Sequence, residues 1–215
     1  KHTVILSTGM SNMKEIILAI NTIAKKQIYK INKNKIIITN SKKLRFIKRK
    51  LKILHCVTDY PVKNRFANLQ CINTMLNDLK IEVGYSDHTK GIIAPLIAVS
   101  KGAKIIEKHF TLNKKMSGPD HSASLDPKEF KKMVDSIRTY EIMNGDGIKR
   151  MLECEKINRK IVRKSLVASK NIKKGERFTH KNITTKRPGY GTPAFNIHSF
   201  INKISKKNYK MDDLI

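Results

Sequence analysis

The chain has 215 residues, and 40% of them are hydrophobic, which allows a substantial core and excludes a wholly disordered protein. Its net charge is +28, but only nine of its 45 basic residues are arginines, aromatic residues make up 6%, and Trp is absent. Proteins that read bases use arginine forks and aromatic stacking platforms, so this composition argues against nucleic acid as the main partner.

The first predicted elements are a strand, a loop and a helix. Residues 4–6 have the apolar character of a buried strand. Asn12 and Glu15 resemble a helix capping box, and apolar residues at helical spacing follow as far as Ile23. Residues 25–50 are rich in Lys, Asn and Ile, and we interpret them as solvated surface with one candidate strand at 35–39.

Three further strand and helix units follow. Strands are predicted at 52–56, 81–85 and 104–109, and helices at about 66–79, at 92–101 and after the capping pair 126–127. Alternating strands and helices indicate an α/β fold with parallel βα units. Beyond about residue 159 the regular segments are short and turn residues are frequent, which predicts a small, mostly-β module.

These patterns divide the chain into three parts. We assign residues 1–145 to the α/β domain, 146–160 to a helical linker and 161–215 to the small domain. The chain begins at Lys1, immediately before a strand-like run, so we expect it to be a fragment of a longer protein.

Cellular location is predicted from three features. The three cysteines are sparse, odd in number and without metal-type spacing, which is typical of a reducing compartment such as the cytoplasm. The longest apolar run, 91–99, is too short to cross a bilayer, so no membrane partner is expected. No signal peptide is visible.

Polar residues follow every predicted strand, and they include Ser7, His55, Ser86 with His88, and His109. Chemistry in parallel βα folds collects at the carboxyl ends of the strands. His88 and His109 end successive strands, which would lie about 4.8 Å apart, so the two rings can converge on one divalent cation such as Mn²⁺. The alternative is that both histidines simply bond to the backbone.

Other polar residues near these strand ends are candidate site residues, and each also has a purely structural interpretation. Glu107 alternates with His109, so both point to one face, where Glu107 would orient a ligand or contact substrate; the alternative is an ion pair with a lysine. Asp87 is expected to orient its loop. Asp120, in the loop 118–121, is a candidate base or polyol contact, against the alternative of a solvated carboxylate.

Three loop segments complete the candidates. Residues 7–10 offer hydroxyls and backbone N–H groups before a helix, which suits a phosphate or carboxylate but equally an ordinary capped turn. Tyr60 precedes Pro61 in a rigid loop and either faces the site or packs. Arg187, beside glycine-rich turns in the small module, suits an anion, or lies in a surface turn.

Together these segments resemble the sialic acid synthase family, which condenses phosphoenolpyruvate with amino-sugars to make N-acetylneuraminate and related nonulosonic acids. The matching segments, in family order, are Ile5–Met10, Leu54–Cys56 with Tyr60–Pro61, Gly84–Thr89, Gly102–Leu112, Gly118–His121, Arg163–Ala168 and Arg187–Gly191. The order and spacing agree over nearly the whole chain, apart from 25–50.

The resemblance implies the C-terminal half of a TIM (β/α)8 barrel followed by a SAF (antifreeze-like) domain. It implies an enzyme that releases phosphate in a metal-assisted, aldol-type condensation, although this fragment alone is not expected to be active. The family works as a domain-swapped homodimer with Mn²⁺ or Mg²⁺.

The resemblance also implies roles for single residues. These roles are His88 and His109 as metal ligands, Ser7 and Ser86 as phosphoenolpyruvate contacts, Tyr60 and Asp120 as amino-sugar contacts, Asp120 and Glu107 as catalytic residues, and Arg187 as a contact with the sugar in the partner's barrel. A different hypothesis, suggested by the net charge, is a basic module that binds nucleic acid or an acidic glycan without catalysis.

Overall fold

The computed structural model describes residues 2–33 and 35–215, which divide into two compact units that meet between Asp146 and Gly147. Within the described residues, no helix is both long and apolar enough to cross a bilayer. The two units correspond in character to the α/β and small modules expected from the sequence, and the exact domain boundaries proposed above stay a prediction.

The first unit alternates strands and helices as predicted. Its elements in chain order are β1 (Val4–Ser7), α1 (Met13–Ile23), β2 (Tyr29–Asn32), β3 (Lys35–Ile38), α2 (Ser41–Ile47), β4 (Leu51–Cys56), α3 (Gln70–Leu79), β5 (Val83–Asp87), α4 (Ile93–Ser100), β6 (Ile106–Lys108) and α5 (Pro127–Asn144). The predicted strand 81–85 therefore begins two residues later, and Ser86 and Asp87 belong to the strand itself.

Four of these strands form one parallel sheet in the order β1-β4-β5-β6. Its helix-facing side carries Leu51, Ile53 and Val83, all fully buried, and they share one apolar cluster with helix residues such as Ile20 and Ile72. Because side chains alternate along a strand, the residues between them point to the opposite face, where the polar strand-end groups begin.

Helix starts follow the capping chemistry read from the sequence. The Asn12 side chain accepts from the backbone N–H of Glu15, and the Glu15 carboxylate accepts from the backbone N–H of Asn12. Asp126 and Glu129 repeat this reciprocal pair before α5, with Pro127 at the first helical position. Each box satisfies backbone donors that a helix start leaves without partners.

Residues 25–50 are more ordered than predicted. They form the antiparallel hairpin β2–β3 and the helix α2, and only the strand at 35–38 was expected. Tyr29 and Ile28 are buried in the main cluster, and the Tyr29 hydroxyl donates to the Leu79 carbonyl. These few buried apolar residues, which lie among lysines in the sequence, hold the segment against the main apolar cluster.

The second unit is small and mostly irregular. Its elements are helix α6 (Lys156–Val162), the antiparallel strands β7 (Ser165–Ala168) and β8 (Ile183–Lys186), and helix α7 (Ile197–Phe200). A cluster of Ala168, Ile172, Phe178 and Ile183 forms its core. The predicted linker 146–160 is helical only from Glu153 onward, through a short 3₁₀ turn that leads into α6.

Candidate active site

A small cleft lies at the carboxyl ends of β5 and β6, and four of the eight predicted site residues line it. Its lining includes Tyr60, Asp87, His88, Thr89, Lys108, His109 and Asp120. His88 directly follows β5 and His109 directly follows β6. The parallel register of these neighbouring strands is what brings the two histidines to one edge of the sheet.

The two imidazole rings lie edge to face in this cleft. Their centroids lie 5.2 Å apart and the ring planes are nearly perpendicular, at 83°. Metal-bound imidazole nitrogens lie about 2.1 Å from an ion such as Zn²⁺, so one cation between rings at this spacing can bind both. The geometry therefore satisfies the first requirement of the predicted two-histidine metal site.

The hydrogen bonds of His88 fix which of its nitrogens is free. Its Nδ1 lies 2.9 Å from the Val57 carbonyl oxygen, and because a carbonyl only accepts, Nδ1 must carry the proton. The lone pair is then on Nε2. This arrangement, in which the second ring nitrogen donates to a backbone carbonyl, is the usual one for a histidine that binds a metal.

Tyr60 and Asp120 border the two histidines. The Tyr60 ring lies 4.3 Å from the His88 ring and 5.6 Å from the His109 ring, measured between centroids, and its side of the cleft is open to solvent. The Asp120 Oδ2 atom lies 3.8 Å from Nδ1 of His109. Both residues are thus within reach of a ligand bound between the histidines.

The protein atoms at this site suit a cation that keeps open positions. Among the described residues, no group of three or more His, Cys, Asp or Glu side chains is arranged to hold a metal. Two imidazoles leave coordination positions for water or substrate oxygens, which suits a Lewis-acid site better than a closed structural one. Imidazole ligands also favour Mn²⁺ over Mg²⁺, which prefers carboxylates, phosphates and water.

Ser86 and Glu107 form a second polar pair beside the histidines. They are register partners on β5 and β6, and the Ser86 hydroxyl donates to Oε1 of Glu107 at 2.6 Å. The expected alternation of Glu107 with His109 agrees with this strand pairing. The hydrogen bond shows Glu107 holding a serine hydroxyl, and not the lysine ion pair considered as the alternative.

Four predicted site residues do not line the cleft: the pair Ser86 and Glu107 described above, and also Ser7 and Arg187. Ser7 ends the edge strand β1, two strand positions from β5, and is exposed. Arg187 belongs to the second unit, is exposed, and donates from Nε to the Val162 carbonyl at 2.8 Å. Their predicted roles stay predictions.

His55 shows that not every polar strand-end residue belongs to the site. His55 lies two residues after Ile53, so its side chain is on the same, helix-facing side of the sheet. There its Nε2 donates to the Ala67 carbonyl at 2.9 Å, and its ring stacks on Tyr85. Burial lowers the pKa of His55, which keeps its ring neutral. Grouping His55 with the strand-end site residues was therefore wrong.

Sequence reasoning also missed Lys108. This lysine forms an ion pair with Asp87, with 2.7 Å between Nζ and Oδ2, and both side chains are completely buried. Each candidate ligand histidine is directly preceded in the sequence by one member of this ion pair, Asp87 before His88 and Lys108 before His109, but only the pairing seen in the structure makes that order informative.

Comparison with known proteins gives consistent results for both units. The sequence profile of the NeuB family matches residues 1–149, and that of the SAF domain matches residues 163–215. An N,N'-diacetyllegionaminic acid synthase of Campylobacter jejuni is 47% identical over 99% of this chain and 58% of its own length. The N-acetylneuraminate-9-phosphate synthase of Homo sapiens is 35% identical over 75% of this chain and 46% of its own length.

Solved structures of similar proteins agree with these family matches. The spore coat polysaccharide biosynthesis protein spsE from Bacillus subtilis is similar with a TM-score of 0.54 and 28% identity, over 99% of this chain and 59% of that one. The N-acetylneuraminic acid synthetase from Leptospira borgpetersenii is similar with a TM-score of 0.53 and 32% identity, over 73% and 47%. This chain spans about half the length of the relatives it matches. With a parallel sheet that ends in paired histidines and a SAF domain after it, the chain belongs to the NeuB family.

Proposed function

We propose that this protein joins phosphoenolpyruvate to the aldehyde carbon of an amino-sugar and so makes a nonulosonic acid and phosphate. The observation that carries the proposal is the facing pair His88 and His109 in a chain whose relatives are legionaminic, pseudaminic and sialic acid synthases. The chain supplies the C-terminal half of the barrel and the SAF domain in this proposal.

The reaction balances without any redox partner. C3 of phosphoenolpyruvate forms a bond to the aldehyde carbon, and the electrons of the carbonyl bond move to its oxygen, which takes up a proton. Water then adds at C2, and phosphate leaves with the electrons of its C–O bond, which generates the 2-keto acid. Charge builds up on the former aldehyde oxygen, so the site has to stabilise an oxyanion.

His88, through its Nε2 atom, and His109 would hold Mn²⁺. The ion supplies Lewis acidity to the aldehyde oxygen when it is bound. The Val57 carbonyl keeps Nδ1 of His88 protonated, so the Nε2 lone pair is directed to the cleft. Mg²⁺ is the less suitable cation because both protein ligands are imidazoles.

The remaining roles follow from the positions of the polar groups. Asp120, 3.8 Å from His109, binds a sugar hydroxyl and moves a proton, while Tyr60 packs against the sugar. Ser86 binds the phosphate or carboxylate of phosphoenolpyruvate by turning its one hydroxyl hydrogen from Glu107 to the anion, and Glu107 orients the hydroxyl until the substrate binds. Ser7, the last residue of β1, contacts the same anion with its hydroxyl.

A phosphate-release assay tests this function. The full-length protein that contains this chain is supplied with phosphoenolpyruvate, Mn²⁺ and either N-acetylmannosamine or a diacetamido-trideoxy hexose, and the product is identified by mass spectrometry. We expect phosphate release that depends on the amino-sugar and is abolished in His88→Ala. The variant His180→Ala, at an exposed histidine of the second unit, is the matched control. Absence of phosphate release with every amino-sugar would contradict the proposal.

We further propose that Arg187 acts on the sugar bound in the barrel of a partner subunit, in a domain-swapped homodimer. In that case His88→Ala and Arg187→Ala are each inactive, but mixed and reassembled dimers contain one intact site. Random assembly predicts recovery of roughly a quarter of the parental activity. If Arg187 serves its own barrel instead, the mixture stays inactive.

A further inference from the structure

The buried ion pair between Asp87 and Lys108 lies directly behind the two candidate metal ligands. The pair occupies the register position next to Ser86 and Glu107, so it lies on the opposite face of the strands from that pair. Its side chains are 0% and 1% exposed. Each member is the residue that immediately precedes one of the two histidines.

Lys108 contacts the chain on both sides of His88. Its Nζ donates to the Asp87 carboxylate and also to the Thr89 carbonyl oxygen. The other carboxylate oxygen of Asp87 accepts from the Thr89 backbone N–H at 2.8 Å. The backbone that carries His88 is therefore bonded, before and after the histidine, to a side chain of the strand that carries His109.

Stability alone is a poor explanation for this pair. Removing two charges from water costs several kcal/mol for each ion, and hydrophobic residues of similar volume often serve folding equally well. What the pair adds is a fixed geometry, because an ammonium group held by two oxygens, one of Asp87 and one of Thr89, allows little movement. That geometry sets the relative position of the residues that follow.

We propose that Lys108 is a positioning residue that, through Asp87 and Thr89, sets the separation and orientation of the His88 and His109 rings for one divalent cation. This inference deepens the proposed function and rests on it for the identity of the ligand. The positioning itself is a property of the protein without metal, so it can be tested separately.

The test variant is Asp87→Asn/Lys108→Met, which removes both charges together and leaves no buried charge without a partner. The Asn side chain still accepts from the Thr89 N–H, so only the link between β5 and β6 is lost. We expect Mn²⁺ affinity, measured by electron paramagnetic resonance of the free ion, to fall about 10–100-fold, as for other residues that orient metal ligands. We also expect the nuclear Overhauser contact between the two imidazole rings to weaken in the metal-free protein.

The chain offers a matched control in Lys52 and Glu82. This pair also bridges neighbouring segments of the sheet, with 2.6 Å between Nζ and Oε2, but it is partly exposed and belongs to the β4–β5 side. The variant Lys52→Met/Glu82→Gln also removes an ion pair between a lysine and a carboxylate. It should leave both the Mn²⁺ affinity and the contact between the rings unchanged.

The outcomes separate this proposal from the proposed function. A folded test variant that keeps the ring contact and the parental Mn²⁺ affinity overturns the positioning role. Loss of the ring contact in a protein that never binds Mn²⁺ supports the positioning role and contradicts the metal site. Should the double variant fail to fold, Lys108→Arg serves instead, because a larger planar cation alters the spacing while the charge is kept; unchanged affinity there also overturns the proposal.

Discussion

The carboxyl ends of β4 and β5 carry one histidine each, His55 and His88, but the two side chains have opposite environments. His55 lies two residues after Ile53 and shares its helix-facing side, where it is buried and bonded to the Ala67 carbonyl. His88 lies two residues after Ser86, on the other side, and faces His109. The alternation of strand side chains, and not nearness to a strand end, thus decides which histidine reaches the site.

The difference extends to the nitrogen that each ring leaves free. His88 donates from Nδ1 and presents Nε2 to the cleft, while His55 uses Nε2 for its backbone contact. The same residue type is therefore a proposed metal ligand at the end of β5 and a neutral core group at the end of β4. Substitutions at the two positions should have very different consequences.

The largest expected effect is on turnover. Replacing His109 with Ala removes one of two protein ligands and with it several kcal/mol of transition-state stabilisation, so kcat should fall about a thousandfold. His55→Gln keeps an N–H donor for Ala67 and lies on the other face, so kcat should stay close to the parental value. Steady-state phosphate release measures both. Equal losses of kcat in the two variants would show that the side of the strand on which a histidine lies does not decide its role in turnover.

Much of this site could be predicted from the sequence. The strand–helix alternation predicted the parallel sheet, and the sheet in turn brings His88 and His109 together. Tyr60 and Asp120 lie in the same cleft as the two histidines, and the roles predicted for them stay predictions. These predictions succeed because they depend on local periodicity and on the common edge of parallel strands.

Other features depend on tertiary contacts that leave little signal in the sequence. Lys108 resembles any other lysine in a chain that has 36 of them, and only its pairing with Asp87 shows that it is buried. The hairpin in 25–50 was missed because its anchors, Ile28 and Tyr29, stand alone among polar residues. Arg187 lies in a separate unit, where its own surroundings do not show what it binds.

A smaller loss is expected at Asp120, beside the histidine pair. Asp120→Asn keeps the size of the side chain but removes its capacity to take up a proton. General acid–base catalysis contributes about 10²–10⁴-fold, so kcat should fall about a hundredfold while the Mn²⁺ affinity changes little. The matched control is Asp135→Asn, at an exposed carboxylate of α5. A loss of Mn²⁺ affinity equal to the loss of kcat would instead make Asp120 part of the metal site.

The smallest expected effect is on the pH dependence of stability, and it concerns His55. Burial lowers the pKa of His55 in the folded protein below that of the unfolded chain, about 6.5. Below pH 6.5 the unfolded chain then binds more protons than the folded one, so the free energy of unfolding falls as the pH decreases and is fully present only above that pH. Urea unfolding between pH 5 and 8 should show this slope in the parent and a shallower one in His55→Gln. An unchanged slope would mean that the His55 ring is protonated inside the fold, which its contact with Tyr85 and its burial argue against.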